Sequence, residues 1–471
     1  AVDAGSAAAM CDLGVCYERG EGVERDLSRA VSLYRQAAEA GNAAGQCNLG
    51  FLYESGEGVE QSWEKAAEWY LRSAEAGSGR AMGNLAWCYE HSKGVEQDYP
   101  EAARLYLRAA EQDYPRGQLC MGFCCERGRG VPLDPSAAAD WYRKAAEQED
   151  EDAQCCLGFL YESGQGVEQS WEEAVRWYRA AAEQGMPRAQ CNLAWCYEYG
   201  KGVEQNWKRA VHWYRQAADQ EDPRGMFCMG ICCKYGRGVE QNWEEAVHWY
   251  RRAVDAGSAA AMCNLGVCYE RGEGVERDAA EAARLYRQAA EREDAAAQCN
   301  LGYLYETGEG VEQNWQEAVR WYQAAAEQGY PRAQCNLGVC WEFGHGVAKD
   351  PAKAADLYRQ AAEGGDRVAA CNLGYLYETG VGVAQSWADA VKWYRQAVEE
   401  SEPRAQYNLA WCYEHGKGVP RDLRQARELY QAAAKQGYAG AQEAADRMEK
   451  DGSRRRGGGF LRGFLDGLRG Q

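Results

Sequence analysis

The sequence contains few histidines, few phenylalanines and no long apolar run. Its 471 residues include five histidines and seven phenylalanines. The histidines are scattered along the chain, so they predict no metal site. No apolar run approaches the roughly 18 residues that a membrane-spanning helix needs. Basic residues are outnumbered as well, and the net charge of −19 argues against nucleic acid as a partner of the main body of the chain.

What the sequence does contain is a repeat of 36 residues. A leucine or methionine recurs at this spacing twelve times without an insertion, first as Leu13 and last as Leu409. A Trp-Tyr or Leu-Tyr pair recurs with the same period. A fixed period between about 20 and 50 residues is typical of solenoids. We therefore expect one elongated domain at residues 1–450 instead of several globular domains.

Each repeat is predicted to contain two helices joined by a Gly-x-Gly-Val turn. The second glycine is present in all twelve copies, and the first is replaced once, by Ser92. Glycine commonly ends a helix because it tolerates a positive φ. Four residues after the second glycine stands an Asp, Ser or Asn, which we interpret as the N-cap of the second helix. These residues are Asp26, Ser62, Asp98, Asp134, Ser170, Asn206, Asn242, Asp278, Asn314, Asp350, Ser386 and Asp422.

The pattern A-x-x-N-L-G-x-x-Y-x-x-G-x-G-V, followed by A-x-x-W-Y-x-x-A-A-x-x-G, resembles the Sel1-like repeat, a relative of the tetratricopeptide repeat. The resemblance extends to about Ala445, with modest departures such as Ala194 for the glycine and Trp341 for the tyrosine. It implies an all-α fold, a right-handed α-solenoid of about twelve helix-turn-helix repeats. It also implies a non-enzymatic scaffold or adaptor for protein or peptide partners. We expect a monomer with no cofactor.

Cysteine is unusually frequent, with 21 residues. A cysteine-rich branch of the resembled family, known from secreted bacterial proteins, pairs a cysteine late in the second helix with one early in the next first helix. Here the late positions carry Ala, Ser or Val. We therefore interpret the cysteines as small buried hydrophobic residues in a reducing cytoplasm. The triplets within 120–125 and 228–233 contain no C-x-x-C pair and have no histidine placed to complete a metal site.

A secreted or periplasmic cysteine-rich relative with β-lactam-binding or β-lactamase activity is the alternative. Ser62 and Lys65 spell S-x-x-K, the nucleophile motif of penicillin-interactive enzymes. However, Ser62 occupies the N-cap position, and the equivalent segments of other repeats read SWEE, NWKR or NWEE. No Ser-Asp-Asn or Lys-Thr-Gly partner occurs. We therefore predict no enzymatic activity.

The predicted binding surface is a stripe along the first helices. At 100° per residue, the residues five before, one before and two after the repeated leucine share one face, opposite the inward leucine and tyrosine. In one repeat these are Arg188, Asn192 and Trp195. The resemblance to tetratricopeptide repeats implies that first helices line a concave groove.

The residue types of this first-helix stripe suit peptide recognition. Arginine binds carboxylates, asparagine can bond a peptide backbone, and exposed aromatic residues are typical interface anchors. The predicted groove residues are Arg80, Trp87, Arg116, Arg188, Asn192, Trp195, Arg224, Tyr303, Arg332, Asn336, Arg404 and Trp411. A structural alternative is that the asparagines satisfy local backbone groups while the aromatic residues pack against neighbouring repeats.

The two ends of the chain depart from the repeat. Residues 1–5 match residues 253–257, so we expect the chain to begin within a repeat, and residues 442–450 are expected to form a partial capping helix. The segment 451–471 joins a basic Gly-rich linker to a short amphipathic stretch. From Gly452 onward it carries five arginines and one aspartate, a net charge of +4. We expect it to touch a membrane surface weakly, to contact a partner or to fold back on the solenoid.

Overall fold

The computed structural model describes residues 6–448, and within this range every regular element is a helix. Twelve repeats each contribute a first helix (odd numbers) and a second helix (even numbers), and one further helix covers 441–448. The predicted all-α solenoid fold of 36-residue repeats is confirmed. The paired helices are α1 (Ala7–Arg19), α2 (Leu27–Glu39), α3 (Ala43–Ser55), α4 (Trp63–Glu75), α5 (Gly79–His91), α6 (Tyr99–Ala110), α7 (Pro115–Arg127), α8 (Pro135–Glu147), α9 (Glu151–Ser163), α10 (Trp171–Glu183), α11 (Pro187–Tyr199), α12 (Trp207–Asp219), α13 (Pro223–Tyr235), α14 (Trp243–Asp255), α15 (Ala259–Arg271), α16 (Ala279–Ala290), α17 (Ala295–Thr307), α18 (Trp315–Glu327), α19 (Pro331–Phe343), α20 (Pro351–Glu363), α21 (Arg367–Thr379), α22 (Trp387–Glu399), α23 (Pro403–His415) and α24 (Leu423–Lys435).

The helices fall into two compact units, with the division between Asn242 and Trp243. The first unit holds α1 to α13, and the second begins with α14. Inside each unit, every helix contacts the next helix along the chain. A single domain at 1–450 therefore stays a prediction. The expected start within a repeat at residues 1–5 and the tail at 451–471 lie outside the described residues, as do the last two residues of the expected capping helix.

The turn between the paired helices explains the repeated glycines. Gly56 ends α3 with φ +75°, and Gly58 follows with φ +72°. At the same place after α5, Ser92 adopts the left-handed conformation with φ +55°. The second glycine also approaches the preceding repeat: a Cβ built on Gly94 would lie 2.0 Å from the carbonyl oxygen of Trp63. In repeats 3 to 12 both the backbone conformation and the space therefore exclude a side chain at this position, whereas in repeat 1 only the positive φ of Gly22 disfavours one.

Side chains cap the second helices as the sequence predicts. Ser170 Oγ accepts a hydrogen bond from the backbone N–H of Glu173 at 3.3 Å, which satisfies one of the amides left open at a helix start. The same interaction occurs at Asp26, Ser62, Asp98, Asp134, Ser170, Asn206, Asp278, Asn314, Asp350, Ser386 and Asp422.

A buried tyrosine joins the two helices of each repeat. In repeat 5, Tyr178 of α10 is fully buried against Gly158 of α9, where an added Cβ would lie 2.7 Å from the ring. Its hydroxyl donates to Glu162 Oε2 at 2.6 Å. Burial, together with this hydrogen bond to a carboxylate, raises the pKa of Tyr178 well above its ordinary value. The small residue, the tyrosine and the glutamate thus fix the pairing of first and second helices.

Candidate functional site

The first-helix stripe lies at the surface in each unit. In α11, Arg188 is exposed, whereas Asn192 and Trp195 are half-buried. Whether the stripe binds a peptide stays a prediction. Its exposed members are Arg80, Trp87, Arg116, Arg188, Arg224, Tyr303 and Arg332, and its half-buried members are Asn192, Trp195, Asn336, Arg404 and Trp411.

Hydrogen bonds connect the stripe across three successive repeats. Arg224 Nη1 donates to Asn192 Oδ1 at 2.7 Å, and Asn192 Nδ2 donates to the sulfur of Cys155 at 3.9 Å. In these repeats the asparagine side chain links neighbouring repeats. The structural alternative, in which it bonds nearby backbone groups, does not apply to them. Because a guanidinium carries five N–H donors, Arg224 keeps donors for a ligand. Equivalent chains run from Arg80 through Asn48 to Cys11 and from Arg404 through Asn372 to Cys335.

Arg188 is one stripe arginine that this network leaves open, and Arg332 is another within the described residues. In the chains described above, each arginine donates to the residue just before the repeated leucine of the preceding repeat. For Arg188 the preceding repeat is repeat 5. There that residue is Cys156, which is buried, instead of an asparagine. Within the described range 6–448, Arg188 has no hydrogen-bond or ion-pair partner. Its exposed guanidinium therefore remains available to a carboxylate.

The tryptophans of the stripe pack on the preceding repeat and remain partly exposed. The ring centroids of Trp195 and Trp171 are 5.7 Å apart, with an angle of 30° between the rings. Trp87 packs on Trp63 with the two rings tilted, and Trp411 stacks on Trp387; the ring centroids of each pair are 5.6 Å apart. These tryptophans thus pack between repeats and also reach the surface, since each is half-buried or just exposed.

Sequence reasoning missed two positions that extend the stripe toward the turn. Tyr199, four residues after Trp195, is 55% exposed, and its ring centroid lies 4.9 Å from that of Trp195. Lys201 places its ammonium 5.6 Å from the ring centroid of Trp171, within the range of a cation–π contact. The helical spacing from Trp195 to Tyr199 was the available signal. Lys93 over Trp63 and Lys417 over Trp387 repeat the arrangement.

A recess opens between α5 and α7. Here Arg116 Nη1 donates to Asp152 Oδ2 at 3.3 Å, so it turns toward the following repeat. Between the stripe residues of α5 and α7 lies a cavity of about 200 Å³. It is lined by Glu54, Gly83, Asn84, Trp87, Tyr106, Tyr114, Arg116 and Cys120. A cavity of this size, with three aromatic residues and a guanidinium at its wall, suits a single side chain of a partner.

The cysteines behave as the packing interpretation predicts. Eighteen of the 21 are buried, and Cys16, Cys120 and Cys228 are half-buried. Burial raises the pKa of the Cys88 thiol to about 12 and that of the Cys120 thiol to about 11. At neutral pH these thiols are protonated and poorly nucleophilic. The described part of the chain contains no group of three or more His, Cys, Asp or Glu side chains that could hold a metal ion.

The S-x-x-K motif has a structural role in α4. Ser62 Oγ accepts from the backbone N–H of Lys65 at 3.3 Å. The Lys65 ammonium lies instead over the ring of Tyr53, 5.4 Å from its centroid. The hydroxyl therefore caps the helix, and the lysine side chain is directed to another contact.

We predict that Ser62→Ala destabilises the protein by about 1 kcal/mol, the usual loss for an N-cap. Urea unfolding measures this change, and Ser170→Ala, at the same position of repeat 5, should give a similar value. Incubation with a labelled β-lactam should leave Ser62 unmodified in the parent. Reproducible acylation of Ser62 would overturn the capping interpretation.

None of the helices described between residues 6 and 448 has the length and apolar character of a membrane span.

Comparison with known proteins agrees with the architecture. A family model described as "Sel1 repeat" matches twelve consecutive segments, at residues 7–42, 43–78, 79–114, 115–150, 151–186, 187–222, 223–258, 259–294, 295–330, 331–366, 367–401 and 403–438. None of the curated protein sequences compared with the chain is significantly similar to it.

Two solved structures are similar over most of their length. One is c5321, a protective antigen present in uropathogenic Escherichia coli strains displaying an SLR fold; it is 34% identical, with a TM-score of 0.72 over 95% of both chains. The other is a Sel1 repeat protein from Oxalobacter formigenes, 34% identical, with a TM-score of 0.50 over 64% of this chain and 87% of that one.

Proposed function

Because the chain belongs to the Sel1-repeat family, we propose that it is a non-enzymatic scaffold that binds an extended peptide segment of a protein partner along the first-helix stripe. Sel1-repeat proteins generally serve as protein-interaction scaffolds. The observation that supports this binding site is the open guanidinium of Arg188 on the same face of α11 as the neighbouring rings of Trp195 and Tyr199.

The chemistry of the stripe favours a peptide that has both carboxylate and aromatic or large apolar side chains. Arg188 can form a bidentate pair with a carboxylate, and Arg224 is already oriented by its bond to Asn192. Trp195 and Tyr199 offer apolar contact at a low entropy cost. The body of the protein is acidic, so the arginines act at short range and not by long-range attraction.

Repetition supports the binding of an extended segment. The same face recurs every 36 residues, and α11 contacts α13 as α5 contacts α7. Neighbouring first helices within the first unit thus present consecutive arginines and rings to one ligand. Individually weak contacts then add along the peptide, because the second contact is made at a high effective concentration.

We also propose a monomeric cytoplasmic protein. The cytoplasmic location is supported by the burial of most cysteines and by the raised pKa of their thiols, as at Cys88 and Cys196. Buried, protonated thiols suit a reducing compartment. A thiol count on unreduced, denatured protein near 21 is expected. A count near zero would instead favour the secreted alternative.

The proposal is tested by selecting peptides from a random display library on the immobilised full chain. The expected ligands carry Asp, Glu or a free C-terminal carboxylate within about four residues of an aromatic residue. They should elute when free arginine is added at high concentration. Selection of basic peptides, or of none, would contradict the proposed partner chemistry.

A further inference from the structure

We propose that an apolar cavity on the second-helix side of repeats 9 and 10 binds the C-terminal segment 452–471 of the same chain, with Phe460 or Phe464 as the inserted side chain. This site is separate from the first-helix stripe and does not depend on the proposed function.

The cavity lies where a regular contact between repeats is missing. In the second unit, an arginine of one second helix donates to the tyrosine hydroxyl of the next first helix, as from Arg287 to Tyr305 at 2.8 Å. Between repeats 9 and 10, Gln323 replaces the arginine and Trp341 replaces the tyrosine. Gln323 donates instead to Glu327 of its own helix at 3.0 Å. Both partners of the contact have changed at the same junction. Other examples of the regular contact are Arg251 with Tyr269 and Arg395 with Tyr413.

A third exchange enlarges the space. Leu357 of α20 stands where seven repeats carry tryptophan, including Trp321 and Trp393. It is half-buried, whereas Leu285 at the same position of repeat 8 is only 1% exposed. Neighbouring residues therefore bury Leu357 less completely than they bury Leu285.

The resulting cavity has a volume of about 370 Å³ between α18, α19 and α20. Leu337, Trp341 and Leu357 provide apolar surface, and the ammonium of Lys353 lies 4.3 Å from the ring centroid of Trp341. The remaining lining residues are Gln323, Ala326, Glu327, Asp356 and Gln360. This volume is large enough for an aromatic side chain, and such rings gain most from an apolar cleft with a polar rim.

The C-terminal segment has the complementary chemistry. It lies outside the described residues, and its sequence combines five arginines with Phe460, Leu461, Phe464, Leu465 and Leu468. Its net charge is +4, against −23 for the rest of the chain. Glu327 at the rim of the cavity can pair with one of these arginines, whereas Asp356 already forms an ion pair with Arg359.

The segment is also long enough to reach the site. Eleven residues separate Met448 from Phe460, which can span roughly 40 Å when extended. Helices pack at about 10 Å, so α20 and α24, two repeats apart in the second unit, are separated by roughly 20 Å. The length of α20 adds about 20 Å.

The test places a photoreactive benzoylphenylalanine at position 464 of the full chain and maps the adducts by mass spectrometry. We expect intramolecular adducts in 323–327 and 353–360. Leu357→Trp fills the cavity with the residue of seven other repeats, and it should lower the yield of these adducts at least fivefold. A second variant, Gln323→Arg with Trp341→Tyr, restores the regular contact and should lower the yield similarly.

Several results would overturn the proposal. These are adducts between two copies of the chain, adducts on the first-helix stripe, adducts to anionic lipid when vesicles are present, or a yield that neither cavity variant changes. Circular dichroism of both variants should show parental helicity.

Discussion

Gly94→Ala should disrupt the junction between repeats 2 and 3 and lower the free energy of unfolding by roughly 3–5 kcal/mol. Part of this loss comes from the backbone, because Gly94 has φ +70° and an alanine in the left-handed region costs about 1–2 kcal/mol. The larger part comes from the contact of 2.0 Å that its Cβ would make with the carbonyl oxygen of Trp63. That backbone atom cannot move without displacing the start of α4.

Gly22→Ala is the matched control for this prediction. Gly22 stands at the same position of repeat 1 with φ +74°, but an added Cβ would have nothing within 4 Å. We expect a loss of only about 1–2 kcal/mol there. Urea unfolding, with hydrogen exchange of α4 and α5 as the local probe, measures both variants. Equal losses at the two positions would show that the approach of Gly94 to Trp63 does not limit the residue type.

Alkaline pH should destabilise the protein far more than an average globular protein. Burial raises the pKa of Cys47 to about 11 and of Cys88 and Cys196 to about 12, from ordinary values near 9. The folded state therefore keeps these thiols protonated while the unfolded chain loses the protons. Stability is complete below about pH 9 and falls as the pH rises toward 12, by up to about 1.4 kcal/mol per pH unit for each such thiol.

Urea midpoints between pH 7.5 and 10.5, in the presence of a reductant, measure this effect. The control is Cys88→Leu with Cys196→Leu, because Leu52 and Leu160 occupy the same repeat position. This double variant should lose stability less steeply above pH 9. A stability that is constant to pH 10.5 in the parent, or the same slope in parent and variant, would contradict the assigned protonation of the buried thiols.

The features that repeat along the chain could be predicted from the sequence. The glycine turns and N-caps such as Ser170 depend on local backbone chemistry. The residues responsible recur every 36 positions, so each repeat carries the same signal. The position of the stripe follows from helical geometry alone. Two-helix repeats of this kind are nearly one-dimensional, so local rules determine most of the fold.

The contacts between repeats could not be predicted, because they depend on how far one repeat is shifted against the next. The sequence did not indicate that Asn192 would join Arg224 to Cys155, since the residues lie in three different repeats. Nor did it show that Arg188 would lack this partner as a result of Cys156. The positive φ of Glu149, at a position where seven other repeats have glycine, is a further example: the regular stacking imposes the turn on a residue that disfavours it.

The most direct test of peptide binding at the first-helix stripe is a calorimetric titration of the full chain with a display-selected peptide. Arg188→Ala with Trp195→Ala should weaken binding by on the order of 2 kcal/mol, roughly thirtyfold in Kd, while helicity stays unchanged. Arg176→Ala, an exposed arginine on α10, should change Kd less than about twofold. Parental affinity in the double variant, or loss of its fold, would contradict the account and direct the search to another surface.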